Sequence, residues 1–303
     1  MTHRKGYKMS NEISIVNETG KSMAELMGFA PIKTSNADFL PSISRLGMIH
    51  QPIMGEVEVN GKNIKTEVVP VGAFTLKMGD ETVYSTNVSI RVFARRFQWQ
   101  RWNSETEEME KSVMSDSLNG DLKDSIGGFN LGRPSGYIAD FNSLEDSVKQ
   151  VIRSVKRVAV LYGTVTFDNP VTEKGEPVAV DVQSIPFVMD VKNRDSLKSI
   201  NSVITKIEGP KKEHLPVTRY INLEGIEDSI PTGAKFGKIK ASLGDSVAFV
   251  DEDEILVKDF YELISYSNGK ILDLHAERMN IDNAADAKLV NEILTNDFVE
   301  VDE

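Results

Sequence analysis

Along residues 49–102 apolar and polar positions alternate in short runs separated by turn residues, the period-two signature of strands. Residues 56–59 and 64–69 flank Asn60-Gly61, a dipeptide suited to a tight hairpin; residues 72–78 follow, then a turn at Gly79-Asp80 and a further strand from Thr82 onward. Successive antiparallel strands are the simplest expectation. The period then becomes helical: Leu144, Val148, Val151, Ile152 and Val155 share one face behind Ser143 as N-cap, with Asp146 three residues on. Lys149, Arg153, Lys156 and Arg157 form the base-rich remainder of that helix. A strand is predicted over residues 158–167, an extended stretch over 178–191 interrupted by Pro186, and a helix over 195–207.

These elements divide the chain into an N-terminal arm (1–45), a β core (46–194) with an inserted loop (103–142), a helical and irregular extension packed on the core (195–290), and an acidic tail (291–303). In the C-terminal part, helices are predicted at residues 254–267 and 283–295. No internal repeat recurs at a fixed period. Strands, then one helix, then further strands is the order of an OB-like fold. The expected class is therefore α+β, mainly β: a small OB-like antiparallel barrel with a capping helix and additional C-terminal helices.

Composition narrows the chemistry. The chain has 303 residues, 40% hydrophobic and 27% charged, which is globular and long enough to bury a sizeable core. The absence of cysteine excludes disulfides, thiolate metal sites and thiol nucleophiles. The basic residues 2–8 are not followed by an apolar h-region, and no window approaches the roughly 18 apolar residues of a membrane helix. A cytoplasmic protein is expected, in the host cytoplasm if viral, with no membrane partner.

The net charge of −11 is concentrated at the C-terminal end, where residues 251–303 hold 15 acids against four bases; the preceding residues balance at 31 of each. Asp297, Phe298, Glu300, Asp302 and Glu303 form a terminal acidic cluster around an aromatic. Such a stretch can be simply solvated; it can be a ligand for partner proteins; or it can compete for a basic groove within its own chain.

The most informative segment is 88–102. In a strand, alternate side chains face opposite sides, so Val88, Ile90, Val92 and Ala94 suit a core, while the odd positions read Ser89, Arg91, Phe93, Arg95, Phe97, Trp99 and Arg101. One face would alternate arginine with aromatics. Bases of an unpaired strand could stack on Phe93, Phe97 and Trp99 while the arginines reach phosphates. Arg96 and Trp102 fall on the other parity, so either the core face ends near Ala94 or a bulge changes the register. The competing reading packs the aromatics beneath the helix or insertion and pairs the arginines with acids such as Glu107 and Glu110.

Other motifs carry less. The run from Gly127 to Pro134 has the glycine spacing of a phosphate loop, but Arg133 stands in place of its lysine and Pro134 in place of its Ser/Thr, which excludes nucleotide hydrolysis there. A loop carrying Phe129, Arg133 and Tyr137 can close over a bound strand, or be a structural Ω-type loop. His3, His50, His214 and His275 are scattered, and no catalytic or metal-ligand spacing is present. Neither a cofactor nor enzymatic activity is expected.

A basic, aromatic β segment, barrel-like strand order, no cysteine and an acidic tail containing Phe298 together resemble the single-stranded DNA-binding proteins of bacteriophages with an OB-fold core. The resemblance covers about residues 50–190 plus the tail; it departs from the family in placing Phe298 five residues inside the terminus and in lacking a contiguous motif. It implies sequence-nonspecific binding of single-stranded DNA in replication, recombination or repair. Arg91, Phe93, Arg95, Phe97, Trp99 and Arg101 would be the DNA contacts, joined by Phe129, Arg133, Tyr137, Lys149, Arg153 and Lys156. The tail would recruit replication or recombination proteins and compete with DNA, and a homo-oligomer is possible. The alternative is a structural or assembly protein of the virion type that binds no nucleic acid.

Overall fold

The alternating pattern of the first half does build strands, and they are shared among several sheets. The computed structural model describes residues 30–32, 40–59, 62–179, 182–211 and 214–296. In it β1 (Ala30–Ile32) pairs with β2 (Leu40–Ser42), followed by β3 (Ser44–Arg45) and β4 (Gly47–Met48). The hairpin of β5 (Ile53–Val59) and β6 (Lys62–Val69) aligns Val59 with Lys62, while the Asn60-Gly61 turn itself lies outside the described residues. β7 (Phe74–Met78) and β8 (Glu81–Ser85) join β4 in a three-stranded sheet.

The largest sheet is organised by β9 (Asn87–Asn103), whose 17 residues outlast any one partner. β10 (Glu108–Lys111) folds back on its C-terminal end. After α1 (Asp146–Ser154) come β11 (Lys156–Asp168) and β12 (Ile185–Val191); after α2 (Arg194–Glu208) comes the hairpin of β13 (Arg219–Ser229) and β14 (Lys235–Ser246). The strand order is β14-β13-β9-β11-β12-β3, with β10 also on β9. All pairs are antiparallel except β12 with β3, so the sheet is mixed.

Strand outweighs helix, 42% against 26%, which makes the fold α+β and mainly β. The expected OB-like barrel is not what forms: the sheet is open, ending at β14 and β3, and no barrel closes among the described residues. Closure is unnecessary because both faces are covered. On one face α2 and the three-stranded sheet meet the largest apolar cluster, where Leu197, Ile200, Val203, Ile204 and Ile207 of α2 pack with Ile90, Leu161 and Phe187 of the sheet and Phe74 and Leu76 of β7. On the other, Phe260, Leu263 and Ile264 of α3 (Asp251–Asn296) pack on Val158, Val160, Tyr162 and Val188.

Helix α2 matches its pattern closely: Asn193 accepts from the backbone N–H groups of Asp195 and Ser196, and Gly209 ends it at φ 70°. Three expectations need correction. Ser143 does not cap α1, because its hydroxyl donates to the Asp140 carbonyl and the helix starts after Glu145. The stretch of residues 209–250, grouped with an irregular extension, is largely the β13–β14 hairpin, in which Ile221, Leu223 and Ile239 are buried at alternate positions. The two C-terminal helices are one helix of 46 residues. The first of the two is expected to end at Ser267, but Asn268 lies inside the continuous helix. Its side chain accepts from the Met114 N–H at 2.7 Å and donates to the Met114 carbonyl at 3.0 Å, as a neighbouring strand would. No described helix is long and apolar enough to cross a membrane.

Candidate nucleic-acid interface

β9 does not keep one parity. Tyr162 on β11 is opposite Ala94 and the next residue, Gly163, is opposite Val92, so Phe93 is an extra residue in β9. Before this bulge Val88, Ile90 and Val92 face the α2 layer; after it Arg95 and Phe97, paired with Leu161 and Ala159, face that layer instead. The single arginine-aromatic face expected from alternation is therefore split between the two layers.

Arg91 turns to the α3 side and is 7% exposed, with its guanidinium held by both carboxylate oxygens of Asp253. Phe93 meets Phe260 of α3 edge-on, with ring centroids 5.6 Å apart. Neither residue is presented to a ligand on the opposite face. Arg95 bonds Asn201 at 3.0 Å and lies 3.7 Å from Glu208, both on α2. Arg101 bonds Glu110 at 2.6 Å, so the pairing weighed for Glu110 is the one present.

The glycine-rich segment is built around two buried side chains. Asp124 is fully buried and accepts backbone N–H bonds from Ile126, Gly128 and Leu131. Asn130 accepts from Leu122 N–H and donates to the Gly120 carbonyl. This is an Ω-type arrangement with a fixed interior, and it seats Leu131 against Trp99 and Val155. Trp99 is consequently only 8% exposed. Phe129 points the other way, packing on His275 of α3 with centroids 5.8 Å apart.

What remains on the α2 side is a smaller and differently composed patch. The Arg133 guanidinium lies 4.7 Å from the Trp99 ring centre and bonds the Ile152 carbonyl; burial pulls its pKa below the usual arginine value without removing its charge. Arg157 lies 4.8 Å from the Phe97 ring centre, with Arg95 at 5.8 Å from the same ring. Arg153 lies 5.4 Å from the Phe141 ring centre, and Lys156 bonds the Arg153 carbonyl. Lys149 is paired with Asp146. Tyr137, 92% exposed, sits midway along the segment that leaves Trp99 at Arg133 and reaches Arg153 at Phe141.

Arg157 was legible in the sequence only as part of a basic helix face. The structure makes it the second residue of β11, opposite Trp99. Among the described residues Arg133, Arg153, Lys156 and Arg157 form no ion pair, although acids outnumber bases in the chain as a whole. Residues 297–303, the candidate partner-binding tail, lie outside the described residues. Among the described residues no group of three or more acidic, histidine or cysteine side chains could hold a metal ion.

Comparison with known protein families, with curated protein sequences and with solved structures finds no match to this chain.

Proposed function

We propose that the chain binds single-stranded DNA without sequence preference, in DNA replication, recombination or repair. The observation that carries the reading is the patch of Arg133, Arg153, Lys156 and Arg157: four cations without acid partners among the described residues, three of them lying over aromatic rings, in a protein of net charge −11. An unpaired guanidinium over an aromatic ring is held flat at low entropic cost, and its other face and the edge N–H groups not already bonded, as one of Arg133's is to the Ile152 carbonyl, can meet a base plane or a phosphate. Phosphates then supply affinity through counterion release, and stacking supplies preference for a strand whose bases are exposed. Tyr137 offers a ring for that stacking. The acidic tail recruits partner proteins and weakens DNA binding when DNA is scarce.

The test is fluorescence anisotropy with labelled oligo(dT) and a matched duplex across a salt series, comparing the parent with Arg133→Ala, Arg157→Ala and the double variant that carries both. Binding should favour the single strand, and each lost phosphate contact should reduce the log–log salt slope by about 0.7. Affinity unchanged in the double variant, or preference for the duplex, would overturn the reading. Absence of binding at low salt together with concentration-dependent assembly would instead support a structural protein.

A further inference from the structure

A second site lies on the other side of the sheet and rests on none of the above. Between α3 and the sheet is a cavity of about 380 Å³, within the size range of small-molecule sites. Val160 and Val188 of the sheet and Leu263 of α3 form apolar walls, and Gln100, Lys111, Tyr162 and Tyr266 supply polar groups. A neighbouring hollow of about 350 Å³ shares Arg45, Gln100, Lys111 and Asp190 with it and adds Lys192.

Among the described residues, two buried polar atoms on this lining have no partner: Gln100 Oε1 and the Tyr266 hydroxyl. Gln100 is 3% exposed. Its amide cannot be turned over to relieve the oxygen, because Nε2 already donates to Gln98 Oε1 at 2.9 Å and Asp190 Oδ2 at 3.4 Å, and a flip would set oxygen against oxygen. Gln100 Oε1 is therefore an acceptor without a donor among the described residues. Leaving such atoms unmet costs about 1–3 kcal/mol each, which a ligand relieves.

The charges indicate what that ligand carries. Arg45, Lys111 and Lys270 line the cavity against one acid, Asp190, which is taken by Arg45 at 2.9 Å. Lys111 makes no ion pair among the described residues, and its partial burial pulls its pKa down from the usual lysine value. Tyr162 keeps its proton, since burial and then Asp190 push its phenol up to about 12. The Tyr162 hydroxyl donates to Met114 Sδ at 3.6 Å, so the lining offers cations, the unmet Tyr266 hydroxyl, one lone acceptor, and apolar side chains from both sheet and helix.

We propose that this cavity binds a nucleoside monophosphate, with the phosphate against Lys111 and the Tyr266 hydroxyl, the flat base between the aliphatic walls, and a base N–H donating to Gln100 Oε1. The chemistry called for is an anion joined to a flat, N–H-bearing ring; inorganic phosphate alone or a nucleoside alone satisfies half of it. The same group can arrive as a free nucleotide or as the phosphorylated end of a strand.

Isothermal titration of the full chain with the four deoxynucleoside monophosphates, the matching nucleosides and inorganic phosphate tests this. At least one monophosphate should bind saturably and more tightly than either of its halves. Lys111→Met should weaken it by about 10- to 100-fold and Tyr266→Phe by about 3- to 10-fold, the range for losing a charged and a neutral hydrogen bond. Without ligand, Tyr266→Phe should melt no lower than the parent, because it removes an unmet hydroxyl; this separates a lost contact from a damaged fold. Displacement of the bound nucleotide by 5′-phosphorylated but not 5′-hydroxyl oligo(dT) would assign the strand end as the source; displacement by neither would assign the free nucleotide. Absence of saturable binding, phosphate binding as tightly as every monophosphate, or affinities unmoved by both variants would overturn the proposal.

Discussion

Arg91 and Asp253 form a two-pronged ion pair, with Nη1 to Oδ1 at 2.9 Å and Nη2 to Oδ2 at 2.8 Å, joining the first half of β9 to the first turn of α3. Both side chains are more than nine-tenths covered, and Arg91 Nε also donates to the Val217 carbonyl. Burial pushes the Asp253 carboxyl up, but hydrogen bonds from Arg91 and the Val250 N–H together hold it below the usual carboxylate value. Asp253→Ala should destabilise the protein by about 3–5 kcal/mol, because it strands a buried guanidinium, while the double change with Arg91→Met should recover much of the loss. Urea denaturation of the three variants checks this. The depressed folded-state pKa also fixes a sign: the pair's contribution is present above the unfolded value near 4 and is lost as pH falls through the folded value, so the double variant should show a shallower acid limb.

Tyr162 controls the alkaline limb. Its phenol is pushed up to about 12, foremost by burial, so the folded state resists an ionisation that the unfolded chain undergoes near 10. Stability should therefore fall by about 2–3 kcal/mol as pH rises from about 10 to about 12. Tyr162→Phe should flatten that slope in the same denaturation series; an unchanged slope would show that the phenol is not the group responsible.

Gly163 stands opposite the bulge with no room for a side chain: a Cβ there would lie 2.0 Å from the Arg91 carbonyl oxygen and 3.2 Å from the Phe187 ring. The obstruction is backbone, so it cannot be relieved by a rotamer change. Gly163→Ala should cost about 3 kcal/mol or more, at the upper end for overpacking, while Gly79→Ala meets nothing within 4 Å and is limited by its φ of 62°. Thermal melts of the two variants should differ accordingly.

Trp99 and Trp102 should separate structural from surface roles. Trp99 is 8% exposed under Leu131, whereas Trp102 is 57% exposed. Trp99→Ala should lower stability by about 3–5 kcal/mol, as for a core aromatic, and Trp102→Ala by no more than about 0.5 kcal/mol. For that reason Arg157, not Trp99, is the informative position for DNA binding.

Local signals in the sequence were good guides where one period ran unbroken. The apolar spacing at Leu197, Ile200, Val203 and Ile207 marked α2 to within a residue at each end. The alternation of Ile221 and Leu223 was equally plain in kind but was masked by the glycines and prolines around it, and β13 and β14 were missed. Asn268 illustrates the other limit. The helix expected to end just before it runs on through it, held by a partner 154 positions away, and no local pattern carries that information. The candidate interface was legible only in part: arginine and aromatic content drew attention to β9, but the unpaired cations lie on the loop, α1 and β11, and which rings are covered depended on Asp124 shaping a distant loop.

The extra residue at Phe93 works as a phase slip. A strand that kept strict alternation would dedicate its odd positions to one layer throughout; the slip lets the first half of β9 anchor α3 through Arg91 and the second half furnish cations to the opposite surface, using one continuous run of sequence. Deleting Phe93 would make Val92, opposite Gly163, and Ala94, opposite Tyr162, immediate neighbours, so every later side chain would keep the face it has now and only the slip would be lost. The ladder with β11, not the parity of the sequence, assigns Arg95 and Phe97 to the α2 layer and Gln98 and Gln100 to the α3 layer, so the deletion would leave both surfaces as they are.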